Sequence, residues 1–189
     1  MADMSGPGGF SLVLVVLSWL FYLPLFFGGS PSAALQSEAG DRTLTGFALQ
    51  ILALLVLVGF HRPWLSPFSS NSLIETTIAA VSSVVAMASV RLSQMAKREL
   101  GTNWSFGADL VDGHTLVTTG PFRFVRHPLS LGFFGLFMAT GLAVARPPAI
   151  LAATVVSLIG TSVRIRSEDR ILSDAYGREF EEYRRKVKF

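Results

Sequence analysis

The stretch GPFRFVRHPLSLGFF, Gly120 to Phe134, sets Arg126, His127 and Pro128 directly before a long apolar run. Ionisable groups at the edge of a hydrocarbon layer are costly and tend to face cavities, so they call for a chemical reason. Pro128 suits the first turn of a helix, where no backbone N–H is required. His127 then falls at or beside the N-cap, where open N–H groups and the positive helix end favour an anion. Arg164 and Glu168 lie one helical turn apart and share a face. A carboxylate there can pair with an ammonium, and a guanidinium can clamp a carboxylate at two points. Each residue also has a plainer role. Arg164 and Glu168 could form only an i,i+4 ion pair, His127 only a cap, and Arg123 and Arg126 only contacts to lipid headgroups. Their convergence on one level favours a pocket.

The elements that must carry these groups are apolar. Half of the 189 residues are hydrophobic, 15% are charged and the mean hydropathy is +0.49. That profile points to a membrane protein. Five runs approach the ~20 residues a membrane-crossing helix needs. They cover roughly 10–27, 44–60, 73–92, 129–145 and 149–165. The last two are joined only by Arg146, Pro147 and Pro148, which predicts a tight helical hairpin. Small residues recur every fourth position as Gly135, Ala139 and Ala143, and as Ala149, Ala153, Ser157 and Thr161. Such rows let helix backbones approach closely in lipid. The first run lacks the basic segment of a signal peptide, so it is read as a retained span. With five spans, one side collects Arg42, the basic residues from Arg91 to Arg126 and eight more from Arg164 to Lys188. The other side holds Arg62 and Arg146. This asymmetry predicts an external N-terminus and a cytoplasmic C-terminus.

No cysteine is present, which excludes disulfides, thiolate nucleophiles and cysteine metal sites, and no metal ligands are expected. A formal charge of +3 gives no reason to expect a nucleic-acid partner. No repeat or linker divides the chain, so 1–189 reads as one membrane domain. Ser72 and Glu75 fit a capping box at the start of the third span, and Gly101 is a natural stop at its end. Asp112-Gly113 marks a turn between short β-like pieces in a connection long enough to carry function. Trp104 in that connection suits a membrane–water interface. Leu172, Tyr176, Phe180, Tyr183 and Val187 make one face of a tail helix, interrupted or bent at Gly177. That helix lies in the interface or covers the mouth of the bundle.

The series LGTNWS, then HTLVTTGPFRFVRHPLSLG, then Arg164, Glu168 and YGREFEEYRRKV resembles the isoprenylcysteine carboxyl methyltransferase family. The resemblance covers about the C-terminal half, 93–189, and its motifs fall in the family's order. It implies an all-α, polytopic membrane enzyme with five transmembrane helices, a cytoplasmic cofactor-binding loop and a C-terminal amphipathic helix. Five spans are like the short prokaryotic members, in a plasma (inner) membrane. The implied cofactor is S-adenosyl-L-methionine. His114, Thr115, Leu116 and Val117 match the loop lining its pocket. Phe122 stands where the family usually has Tyr. His127, Pro128, Leu129 and Ser130 match an Arg-His-Pro-x-Tyr cofactor segment in which Ser130 replaces the Tyr. Glu168 matches the acid that holds the cofactor, and Asp169 is a shorter acid where a second Glu is common. Arg164 matches the arginine assigned to the reactive end of the substrate.

The implied reaction is methyl transfer to a lipophilic acceptor entering from the bilayer, a carboxylate of the isoprenylcysteine type. A polar cofactor and an apolar acceptor call for separate openings. We expect a cytoplasmic pocket under the 109–122 loop and the tail helix, and a lipid-facing gap near the third and fourth spans. The absence of a G-x-G-x-x-G strand–helix signature argues against a Rossmann methyltransferase. Other readings are methylation of a small thiol or another lipid-like acceptor, a sterol-type reductase using a reduced nicotinamide, and a non-enzymatic membrane protein that keeps the fold.

Overall fold

Inside hydrocarbon a backbone must satisfy its own hydrogen bonds, and apolar runs of this length do so as helices. In a computed structural model, which describes residues 7–26, 38–62, 71–101 and 115–187, the chain is helical nearly throughout. Helix α1 spans Pro7–Tyr22 and runs into a 3-10 turn at Leu23–Phe26. Helices α2 (Glu38–Gly59) and α3 (Ser72–Leu100) follow. A 3-10 turn at Gly120–Arg123 leads to α4 (Pro128–Val144), α5 (Pro147–Tyr176) and α6 (Arg178–Lys186). Among the described residues there is no strand, only an isolated bridge between His61 and Ala145. Residues 115–118 have no regular structure. Asp112-Gly113 and Trp104 lie outside the described residues.

Among the described residues four helices are long and apolar enough to cross a membrane: α1 with its 3-10 turn, α2, α3 and α5. Helix α4, the fourth apolar run, is shorter at 17 residues. Large apolar side chains such as Phe10, Leu55, Val84 and Leu151 are exposed on the outside of the bundle. In water such coverage would be an anomaly; in lipid it is the solvent-facing surface. The fold is that of an all-helical, multi-pass membrane protein.

The short connection between α4 and α5 does not make them each other's main partner. Helix α5 packs along α2, and α4 packs along α3 with α1 beside them. The small residues explain the correction to the expected hairpin. Gly160 of α5 abuts Gly46 of α2 so closely that a Cβ on either would lie 2.8 Å from the other's carbonyl oxygen. On α4, a Cβ at Gly132 would lie 2.9 Å from the Ser89 carbonyl oxygen of α3, and Ser82 Oγ donates to the Ala139 carbonyl at 2.9 Å. Close contacts thus hold the α3–α4 seam at Gly132 and Ala139. Helix α4 touches both groups and joins them. Its Leu136, Phe137 and Ala139 are fully buried in a core that also contains Val15, Tyr22, Leu57, Ala86 and Ala153.

Helix ends follow the sequence, with one correction. Gly101 adopts φ 53° and donates to the Lys97 carbonyl, ending α3, and Gly177 at φ 50° separates α5 from α6. Only glycine takes that region without strain. At the start of α3, however, Asn71 rather than Ser72 is the cap. Its carboxamide oxygen accepts from the N–H groups of Leu73 and Ile74 at 3.0 and 3.2 Å. Ile74 then holds the third helical position, so the expected capping box does not form, and Glu75 is instead buried beside Gly8 within electrostatic reach of Arg62.

Candidate functional site

The start of α4, the last turns of α5 and the returning α6 meet at one end of the bundle. Pro128 occupies the first helical position and His127 is the N-cap, with φ −121° and ψ 62°. The His127 side chain makes no cap bond. It turns instead to α5, with Nδ1 3.0 Å from Glu168 Oε2 and Nε2 2.8 Å from Asp169 Oδ1. Two carboxylates as partners require two N–H donors, and only the imidazolium has them. Burial works against that charge, but the hydrogen bonds and charges of Asp169 and Glu168 outweigh it and lift the His127 pKa to about 9.

Glu168 also holds Arg164, whose Nη2 lies 3.0 Å from Oε1. Nη1 of Arg164 donates to Gln50 Oε1 of α2 at 3.2 Å, and the guanidinium carbon sits 4.0 Å from the centroid of the Phe47 ring. Arg164 is buried, and its Nε has no hydrogen-bond partner among the described residues. Arg126 reaches Asp169 Oδ2 at 3.7 Å, and its Nε is likewise buried without a partner. Three cations, Arg126, His127 and Arg164, thus face two carboxylates. Among the described residues of this cluster one positive charge is unmatched, and two N–H groups have no acceptor. Such an arrangement has the charge and the donors to accept an anionic group.

Helix α6 closes this end. Phe180, Tyr183 and Val187 are buried and pack with Leu116, Leu172 and Tyr176. Tyr183 donates its hydroxyl to the Phe122 carbonyl at 2.6 Å. Burial, with Asp169 adding to it and Arg126 opposing it, pushes the Tyr183 pKa up to about 12, so the hydroxyl stays protonated as a donor. The tail helix therefore covers the mouth of the bundle.

The residues singled out in the sequence fall as follows. His127, Arg164 and Glu168 are in contact in one cluster. Pro128 and Ser130 are buried in the first turn of α4, and Leu129 is half-buried there, its carbonyl accepting from Tyr22 at 3.3 Å. Phe122 is buried under α6. Leu116 and Val117 are half-buried and Thr115 is exposed. His114 lies outside the described residues. Arg123 is exposed and sits over the Phe124 ring, as a headgroup-contacting residue would. Asp169 received no role from the sequence yet holds the second ring nitrogen of His127. Phe47 and Gln50 of α2 were missed altogether. Gln50, a carboxamide within an apolar run, was a usable signal; Phe47 gave none.

A family model described as the isoprenylcysteine carboxyl methyltransferase (ICMT) family matches residues 78–174, just over half of the chain. A protein of Oryza sativa subsp. indica named probable protein-S-isoprenylcysteine O-methyltransferase is 38% identical over 76 residues, which is 40% of each chain. Proteins named protein-S-isoprenylcysteine O-methyltransferase are also similar. That of Xenopus laevis is 34% identical over 76 residues, 40% of this chain and 26% of its own. That of Dictyostelium discoideum is 24% identical over 136 residues, 71% of this chain and 57% of its own. The matches thus span between about a quarter and three fifths of these relatives' length. The family match runs from α3 into α5 and contains Arg126, His127, Arg164, Glu168 and Asp169, the whole charged cluster. The chain belongs to the isoprenylcysteine carboxyl methyltransferase family.

Proposed function

We propose that this protein is an S-adenosylmethionine-dependent membrane methyltransferase whose acceptor is a lipophilic carboxylate of the isoprenylcysteine type. The observation that carries the reading is the Arg126–His127–Arg164–Glu168–Asp169 cluster inside the matched family segment, with one positive charge in excess among the described residues. The relatives' names supply the substrate class.

The donor set fits the cofactor. Glu168 and Asp169 are acceptors for an ammonium; each carboxylate has lone pairs beyond those used by His127 and the arginines. Arg126 and the open N–H groups at the start of α4 suit a carboxylate. We assign Glu168, with His127, Pro128, Leu129, Ser130, Phe122 and the His114–Val117 segment, to cofactor binding. Bound there, S-adenosylmethionine supplies an electrophilic methyl group. Arg164 is assigned to the acceptor. Its Nε–H, without a partner among the described residues, and its fixed plane can hold a carboxylate in one orientation, and an ionised carboxylate needs alignment rather than a base. Helix α6 and its contacts to Leu116 and Phe122 exclude water from that end.

We further assign the protein five spans, α4 included, in a prokaryotic plasma membrane. The charged end and α6 face the cytoplasm and the N-terminus lies outside, as the Lys and Arg asymmetry requires. The acceptor reaches the site from the bilayer. The test is calorimetry on purified protein. Binding of S-adenosylhomocysteine without binding of a reduced nicotinamide supports the reading; the reverse result replaces it with a reductase.

A further inference from the structure

Arg164 is held from outside the family-matched segment. Residues 78–174 exclude α2, yet among the described residues α2 supplies both Gln50 and Phe47 to the guanidinium, beside Glu168 of α5. Phe47 presents its ring to the guanidinium face at 4.0 Å, and Gln50 accepts from Nη1 at 3.2 Å. The Gln50 amide has only one workable orientation. Arginine has no acceptor, so the carboxamide oxygen must face it, and the amide nitrogen is left to donate to Thr161 Oγ1 at 2.9 Å. Thr161 lies one turn before Arg164 on the same helix, so both ends of the amide are tied to α5. Close approach makes this possible. A Cβ on Gly46 would strike the aliphatic stem of Arg164 and the Gly160 carbonyl.

We infer that Gln50 and Phe47 are positioning residues that aim Arg164 and select an anionic acceptor. Gln50 is neutral. It fixes the guanidinium without cancelling its charge, whereas a carboxylate at position 50 would complete the neutralisation that Glu168 begins. Phe47 covers one face of the planar fork and leaves the Nε–H edge, the group without a partner among the described residues, for the ligand. Gln50 is buried, so its amide oxygen needs a donor of its own, and the Arg164 Nη1–H supplies it while Thr161 takes the amide N–H.

This inference rests on the assignment of Arg164 to the acceptor carboxylate, and the test separates the two. Q50E, Q50L and F47L are compared with the parent protein in three measurements: S-adenosylhomocysteine binding, turnover of a soluble S-prenylcysteine carboxylate, and inhibition by that compound against inhibition by its uncharged amide. The expected result is unchanged S-adenosylhomocysteine binding in all three variants, which also reports that they fold. Q50E loses the preference for carboxylate over amide by about tenfold, the scale of one hydrogen bond to a charged group, with the change in KM. Q50L and F47L lower kcat by about tenfold or more through misalignment, with KM little changed. Equal loss of cofactor binding and turnover in every variant would reduce α2 to a structural strut and overturn the inference. Variants indistinguishable from the parent would overturn it too. A parent that binds S-adenosylhomocysteine but shows no preference for carboxylate over amide would sink the acceptor assignment itself.

Discussion

Raising the pH from about 6.5 to 9.5 discharges His127, and the protein should lose stability over that window. The imidazolium is buried between two carboxylates at 2.8 and 3.0 Å, and its pKa rises from the ordinary 6.5 to about 9. A group whose pKa is higher folded than unfolded stabilises the fold fully below the unfolded value. That contribution fades as pH climbs through the folded value. At ~1.4 kcal/mol per unit, the shift amounts to roughly 3 kcal/mol at most. The assay is thermal or denaturant unfolding in lipid nanodiscs from pH 6 to 10, on the parent and on H127Q. The difference between them should shrink by roughly 3 kcal/mol as pH rises, with its midpoint between the two pKa values. A neutral glutamine leaves Glu168 and Asp169 facing one another with only the arginines for support, so H127Q should be the less stable protein at pH 6. If parent and variant keep a constant difference across the range, His127 is not charged between the carboxylates and the charge balance of the site is wrong.

Glu168→Gln should weaken S-adenosylhomocysteine binding by about 1.5–3 kcal/mol, the worth of a charge-assisted hydrogen bond, while Arg164→Lys leaves that binding nearly intact and slows turnover. Equal effects of both substitutions on binding would favour the plain i,i+4 ion pair. Gly46→Val places side-chain atoms against the Gly160 carbonyl and the Arg164 stem, and overpacking of this kind costs about 1–3 kcal/mol; an unfolding midpoint equal to the parent's would mean the α2–α5 seam is looser than described. Tyr183→Phe removes the donor to the Phe122 carbonyl, about 1 kcal/mol. It should speed hydrogen exchange in α6 while leaving α1–α5 protected, and unchanged exchange in α6 would show that this contact does not hold the cover shut.

The site was readable where local rules decide. Proline before an apolar run fixed the start of α4, and glycines at 101 and 177 marked the end of α3 and the bend before α6, because each position imposes a backbone constraint that few other residues meet. Arg164 and Glu168 were readable because a helix puts i and i+4 on one face. What was not readable is pairing between distant helices. The small-residue rows announced close packing without naming the partner. Sequence adjacency suggested α4 with α5, whereas Gly46 against Gly160 gave α5 to α2. The same gap hid Phe47 and Gln50, since nothing local to α2 indicates that its inner face meets Arg164. Asp169 was noted as a second acid but given no role, for a related reason. It neighbours Glu168 in sequence, and adjacent helical residues point about 100° apart. Both reach His127 only because the imidazole enters between them from α4. At Asn71 two adjacent polar residues could each cap α3, and the choice moved the start by one position and left Glu75 buried.

The most direct measurement is transfer of a labelled methyl group from S-adenosylmethionine to a soluble S-prenylcysteine by the purified protein in lipid. The account predicts labelled product whose methyl group is released by mild base, the mark of a carboxyl ester, and none when the acceptor carboxylate is already blocked as an amide. Base-stable label, label on the blocked acceptor, or no transfer by protein that binds S-adenosylhomocysteine would contradict it.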